Sequence, residues 1–325
     1  MASHMPANYA EDRLHRYLAH WTRDSSNVSK LDVAAITWAS EEERRERQRK
    51  YCQVGSDYYD LVTPLYEQGW GQQFHYTPIT PGLSIRESMT AYEKTFAGLA
   101  RLEKDMRILD LGCGIGGPAR TIASTIGCKI VGITNNAWHV ERGTVLTREA
   151  GLDSLVTLLQ GDFLKLPFPD ESFDAAYSVE SLCYAPNPAD VYREIKRVLK
   201  PGSPFTFHDF AMTENFDEGI PDHQDMAFRS SPAPWFFGPA GDIWWAWKMP
   251  GWPDFWKVFK MWDPFRGCAH VIYRLMILLG MCPPEVSTLM DTMWYCTKSV
   301  AIGGRMGIFT PMYVFVCRKP GAGEE

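Results

Sequence analysis

Chemistry first shows in a glycine-rich turn, Asp110-Leu111-Gly112-Cys113-Gly114-Ile115-Gly116-Gly117-Pro118, directly after a short apolar run at 107–111. Glycines let the chain turn tightly and bring main-chain amides close to a ligand without a Cβ in the way. Gly112, Gly114 and Gly117 also satisfy G-x-G-x-x-G, the pattern of dinucleotide binders. Such a binder wants an acid about 20 residues on to hold the ribose. Here that position reads Thr134-Asn135-Asn136, with no acid and no arginine for a 2′-phosphate. The turn suits a donor with an amino-acid end, a ribose and an adenine but no phosphates, which is S-adenosylmethionine. Asp110 would organise the loop that receives its ammonium, and the amides around Gly112, Cys113, Gly114 and Gly116 suit its carboxylate. Asn135, Asn136 and His139 would bond the ribose hydroxyls. In Gly161-Asp162-Phe163, Asp162 would accept the adenine amine and Phe163 would flank the ring.

The elements that must hold these turns follow from periodicity. Apolar runs predict strands at 107–111, 129–133, 156–160, 173–179 and 204–210, with helices at 117–126, 137–150 and 189–199 between them. Alternation at these lengths predicts a mostly parallel sheet with helices on both faces, an α/β Rossmann-like fold. Ligands in such folds sit beyond the carboxyl ends of the strands. Ahead of the sheet, Ile85, Met89, Tyr92, Phe96 and Leu99 mark an amphipathic helix. Residues 8–50 read as polar helices ending in the charge run Glu41 to Lys50, and 51–82 read as too broken by Gly and Pro for a long helix.

Composition narrows the class. Of 325 residues, 45% are apolar and 22% charged, with a net charge of −6, which excludes bulk disorder. A pI of 5.8 offers no basic footprint for nucleic acid. The eight cysteines include no Cys-x-x-Cys and no zinc-ligand spacing, so no metal site is expected. No signal-like start is seen, which predicts reduced thiols and a cytoplasmic protein, with His4-Met5 open to reading as a cloning scar. Cys113, Cys183 and Cys317 read as small core residues. The longest apolar run, Ala269 to Met281, is broken by His270 and Arg274 and falls short of the ~18–20 residues of a membrane span.

These residues carry a resemblance. The chain resembles the sterol 24-C-methyltransferases, class I methyltransferases, from about Tyr58 to Pro320. The glycine turn (DLGCGIGGPAR) and GDFLKLPF at Gly161 to Phe168 are shared with many methyltransferases. The segment Tyr66 to Gly71 (YEQGWG) with Phe74-His75, the ESLCYAP run from Glu180, EIKRVLKPG from Glu194, and the tail FTPMYVFVCRKP from Phe309 are closer to this family. Three departures stand out. His139 replaces the usual Gln, Tyr184 replaces the usual His, and only residues 211–234 separate the fifth strand from Trp235, where relatives place a further helix and strand.

The resemblance implies a mechanism and a layout. Attack of an alkene on the sulfonium methyl leaves a carbocation, which must be shielded and then lose a proton. Aromatic faces of Tyr58, Tyr59, Tyr66, Trp70 and Phe74 would shield the cation, with Glu180 as base and His75 and Tyr184 as relays. The layout comprises a lid at 1–83, a donor-binding core at 84–213, a Trp-rich cap at 214–307 and a closing strand at 308–320. The stretch from Trp235 to Trp262 holds seven tryptophans, which suits a sterol wall or a peripheral contact with the endoplasmic reticulum or another internal membrane. A homo-oligomer is a further expectation from the resemblance. Transfer to another lipophilic acceptor (a triterpene, another sterol carbon, a tocopherol-like phenol) and a non-catalytic lipid-binding homologue both remain open on the sequence.

Overall fold

In the computed structural model, the described residues are 41–69, 71–217 and 303–323, together with 12, 13, 16, 17, 19, 20, 219–221, 271, 275, 278 and 279. Trp70 and the whole Trp235–Trp262 stretch lie outside them. The chain forms two compact units, one of residues 1–62 and 216–306, the other of residues 63–215 and 307–325.

In the first unit, helix α1 covers Glu41–Arg49 and the start of helix α2 follows at Tyr51. Asp57 accepts from Gln53 and pairs with His20 at 2.8 Å, while Tyr17 packs on Tyr58 with ring centroids 5.5 Å apart. Helix α2 runs Tyr51–Gly69, so the expectation of a broken segment at 51–82 is corrected over its first nineteen residues. Val54, Tyr58, Val62 and Tyr66 recur every four residues and are all buried, an apolar helical stripe that outweighs Gly55 and Pro64.

The second unit is built on one sheet. Helix α3 (Ile85–Leu99) opens on a capping box in which Ser84 and Glu87 satisfy each other's main-chain N–H. Then come β1 (Arg107–Leu111), α4 (Gly117–Ile126), β2 (Lys129–Thr134), α5 (Ala137–Glu149), β3 (Val156–Gln160), β4 (Ala175–Val179), α6 (Pro188–Val198), β5 (Pro204–Met212) and β6 (Phe309–Arg318). The strand order is β3-β2-β1-β4-β5-β6, parallel except for β6, which runs antiparallel to β5. This is the mostly parallel α/β arrangement that the alternation predicts.

Side chains alternate across the sheet as a pleated strand requires. Ile108, Ile130, Val156, Ala175 and Tyr177 pack with Phe96, Ala119 and Ile122 on one face. Leu109, Leu111, Ile133, Ala176 and Phe207 pack with Val191, Ile195 and Val198 on the other. The shortened connection after β5 does not leave that strand bare. β6 pairs with it from Pro204↔Arg318 to Met212↔Phe309, and Phe207 stacks on Phe315 at 4.4 Å. Cys113 is buried and Cys183 half-buried, but Cys317 is exposed on β6, a correction to its reading as core.

Candidate active site

The strand order reverses between β1 and β4, and a crevice opens at such a switch point. The glycine turn leaves β1 there. Gly112, Gly114 and Gly116 have φ of +73°, +52° and +76°, a region that L side chains rarely adopt. A Cβ on Gly112 would stand 2.2 Å from that of Ser181, and one on Gly117 would stand 2.0 Å from the Gln72 carbonyl oxygen. Glycine is therefore required by close approach from the turn after β4 and from the segment after α2. Gly114 differs, because nothing lies within 4 Å of where its Cβ would be. That open face above a left-handed turn is a cradle for a ligand, and it fits the amino-acid end of S-adenosylmethionine.

Asp110 is buried at the end of β1. The register sets Tyr177 of β4 beside it, and the Tyr177 hydroxyl donates to its Oδ2 at 2.9 Å. Burial pushes the Asp110 carboxyl up to about 7, the Tyr177 bond works against that, and the Glu93 carboxylate adds to it. Cys113 beside it is buried, which pushes its thiol well up and keeps it protonated.

The ribose turn is only partly as the sequence suggests. Asn135 is half-buried at the end of β2. Asn136 is fully buried, and its Oδ1 accepts from the His139 N–H at 2.9 Å as the N-cap of α5. The His139 ring is turned to the Thr63 hydroxyl at 2.8 Å on α2, and burial pushes its imidazole down to about 3, so it is neutral. Asn136 Oδ1 and His139 Nε2 are thus engaged within the protein. They fix the start of α5 and its contact with α2, as does the paired bond of Arg142 to Glu67 at 2.7 and 2.9 Å. Asp162 and Phe163 are half-buried after β3. Asp162 Oδ1 accepts from the Leu164 N–H at 2.7 Å, which shapes the turn.

The segment after α2 is clamped over the same end of the sheet. Arg120 of α4 donates to the Ile115 carbonyl at 2.6 Å and to Gln72 Oε1 at 2.8 Å, joining that segment to the glycine turn. Tyr66 is buried with its ring 5.3 Å from Phe74. His75 is buried, with Nδ1 2.8 Å from the Tyr76 carbonyl and Nε2 3.0 Å from Glu93 Oε1. The Tyr76 N–H donates to Glu180 Oε1 at 2.5 Å. Glu180 follows β4 with φ of +52° and sits next to Ser181, whose hydroxyl donates to the Leu111 carbonyl at 2.6 Å. The structure thus brings Glu180 and His75 together, while Tyr184 ends the adjoining 3-10 turn Leu182–Tyr184.

Comparison with known proteins decides the family. Residues 109–207 match the methyltransferase domain, and residues 256–321 match the sterol methyltransferase C-terminal region. The sterol 24-C-methyltransferase of Neurospora crassa is 32% identical over 86% of this chain and 82% of its own length. The chain belongs to the sterol 24-C-methyltransferase family. It is an S-adenosylmethionine-dependent methyltransferase. Another relative, the 24-methylenesterol C-methyltransferase 2 of Arabidopsis thaliana, is 34% identical over 82% of this chain and 78% of its own. Among solved structures, a sarcosine dimethylglycine methyltransferase candidate from Galdieria sulphuraria superposes with a TM-score of 0.56 at 21% identity, covering 83% of this chain and 98% of that one. That likeness speaks to the fold.

Within this family member, sequence reasoning missed Tyr76, Tyr92, Glu93, Tyr177 and His208. Two carried a signal. Glu93 lies on the apolar face of α3, between Met89 and Phe96, where a charge needs a reason. His208 and Asp209 interrupt the apolar strand at 204–210, and both are buried.

Proposed function

We propose that the protein transfers the methyl group of S-adenosylmethionine to the side-chain Δ24 double bond of a sterol. The observation that carries this reading is the Glu180 carboxylate, fixed by the Tyr76 N–H and set beside the glycine turn. Methylation of oxygen or nitrogen can end with loss of an acidic proton to solvent. Alkylation of an alkene ends with a proton on carbon that needs a positioned base. The names of the sterol-methylating relatives and the match at 256–321 point to the same acceptor.

The donor, when bound, supplies an electrophilic methyl on a sulfonium. Asp110 and the glycine turn hold its amino-acid end at the open face of Gly114, since the N–H groups of Gly112 and Cys113 donate to the Ile133 carbonyl and that of Gly116 to the Cys113 carbonyl; Asn135 holds its ribose, and Asp162 with Phe163 its adenine. Asn136 and His139 support this site by fixing α5. Tyr66, Trp70 and Phe74 shield the cationic acceptor, each contributing about 0.5–2 kcal/mol when desolvated. Glu180 removes the proton, with His75 and Tyr184 as relays. Donor binding falls to 84–213, acceptor recognition to 214–307, a lid to 1–83 and sheet closure to 308–320. Peripheral membrane contact through 235–262 would deliver the acceptor; among the described residues no helix is long and apolar enough to cross a membrane.

The test is incubation with methyl-labelled donor and a panel of zymosterol, cycloartenol, desmosterol, squalene and a tocopherol. Label is expected at C24 of a Δ24 sterol. Label confined to the phenol or to squalene would overturn the sterol assignment.

A further inference from the structure

We propose that His208 positions Glu180 and shares the proton that Glu180 takes from the acceptor. This rests on the assignment of Glu180 as base. His208 lies in the middle of β5 at 0% exposure, directly after Phe207 in sequence, where an apolar residue would pack without penalty. A buried imidazole needs polar partners, and this one has a carboxylate. Its Nε2 stands 3.5 Å from Glu180 Oε1.

Two further contacts fix the pair. The main-chain N–H of Glu180 donates to the His208 carbonyl at 2.7 Å, tying the turn after β4 to β5. Glu180 is held at a positive φ, a region that residues with a Cβ rarely occupy. Such strain persists where the surroundings over-determine it, and here it brings the side chain to the Tyr76 N–H and to His208.

The groups facing His208 come from every neighbouring element. Glu180 faces it from the turn after β4, and His75, with its ring centroid 6.4 Å away, from the segment after α2. Tyr92 faces it from α3 with its ring 5.4 Å away, and Glu93 stands behind His75. The residues paired with His208 on either side, Val179 of β4 and Val314 of β6, do not titrate.

The chemistry balances. The C–H electron pair beside the cation becomes the new double bond, and the proton goes to a Glu180 oxygen. The proton is shared with His208 Nε2 while product is bound and leaves through Glu180 to solvent as the product departs, which restores both groups for the next turnover. Glu180, with its side chain 8% exposed against 0% for His208, is the member of the pair with a route to water. His75, Glu180 and His208 offer ligand atoms within 4.8 Å of one another, a set that would also suit a transition-metal ion; the test separates the two.

The experiment compares His208→Phe, His208→Gln and Glu180→Gln in the full chain, with labelled donor and the best sterol of the panel. His208→Phe is expected to lower kcat about 10-fold or more while sterol KM and donor affinity stay within about 3-fold. The acidic limb of the kcat profile should shift, because the shared proton loses one of its two sites. His208→Gln, which keeps a donor near that position, should recover part of kcat, and it serves alone if His208→Phe does not fold. Unchanged kcat and pH limb, parallel losses in turnover and donor affinity, or activity lost to a chelator and restored by a divalent metal would each overturn the proposal. Glu180→Gln separates the two levels. If it turns over normally, the base assignment falls and this proposal with it. If it is inactive while His208→Phe is normal, only the role of His208 falls.

Discussion

At the scale of single residues, Asp110 shows how burial sets behaviour. Its carboxyl rises to about 7 in the folded chain, against about 3.9 when unfolded. The folded state therefore holds this proton more tightly. That contribution to stability is fully present below about pH 4 and is lost as pH rises through about 7. Asp110→Asn has no such loss, so its Tm relative to the parent should climb between about pH 4 and pH 7 and level off above. A difference that is flat across that window would show that Asp110 titrates elsewhere. Replacing Tyr177 with Phe should cost about 1–2 kcal/mol, because the partner carboxyl is left buried with one bond fewer; urea unfolding would read it. The position of Asp110 was legible, since an acid two residues before a glycine turn is a local pattern. Its partner was not, because Tyr177 is 67 residues away and reaches it only through strand register. The same holds for Asn136, whose residue type fits a sugar contact and a helix cap equally well until the start of α5 is seen.

At the scale of elements, the glycine turn separates packing from binding. Gly112→Ala combines a left-handed φ with a 2.2 Å approach to Ser181 and should cost about 3 kcal/mol or more. Gly114→Ala meets no neighbouring atom, so it should cost only about 1 kcal/mol in stability. Its methyl fills the open face, so donor affinity should fall at least about 10-fold, roughly 1.4 kcal/mol, in calorimetry. Equal effects on stability and affinity in both variants would remove the distinction. The sheet strands and the helices α3 to α6 were readable because each satisfies its own period. Helix α2 was hidden by Gly55, Pro64 and the dense aromatics around them, though the four-residue spacing of Val54, Tyr58, Val62 and Tyr66 was there to be counted. The clamp of Gln72, His75 and Tyr76 onto the sheet end could not be read, because it depends on contacts across long sequence separations.

At the scale of the whole molecule, the sheet is completed by a strand from the far end of the chain. β6 pairs with β5 along nearly all of its length, and Phe207 and Phe315 stack across the seam. A chain ending at Met306 should lose its cooperative unfolding transition and aggregate, because β5 would then present an open apolar edge. A soluble, cooperatively folding truncation would show that the first five strands suffice. The tail's family resemblance signalled a strand there, but its antiparallel direction and its seat against β5 are matters of topology. That seat has a consequence for how the protein is made. Residues 213–308 must leave the ribosome after β5 and before β6. At roughly 5–20 residues per second, that gap lasts several seconds or more. During synthesis the nascent sheet therefore waits with one side unfinished, and a chaperone that shields that side would govern the yield of active enzyme.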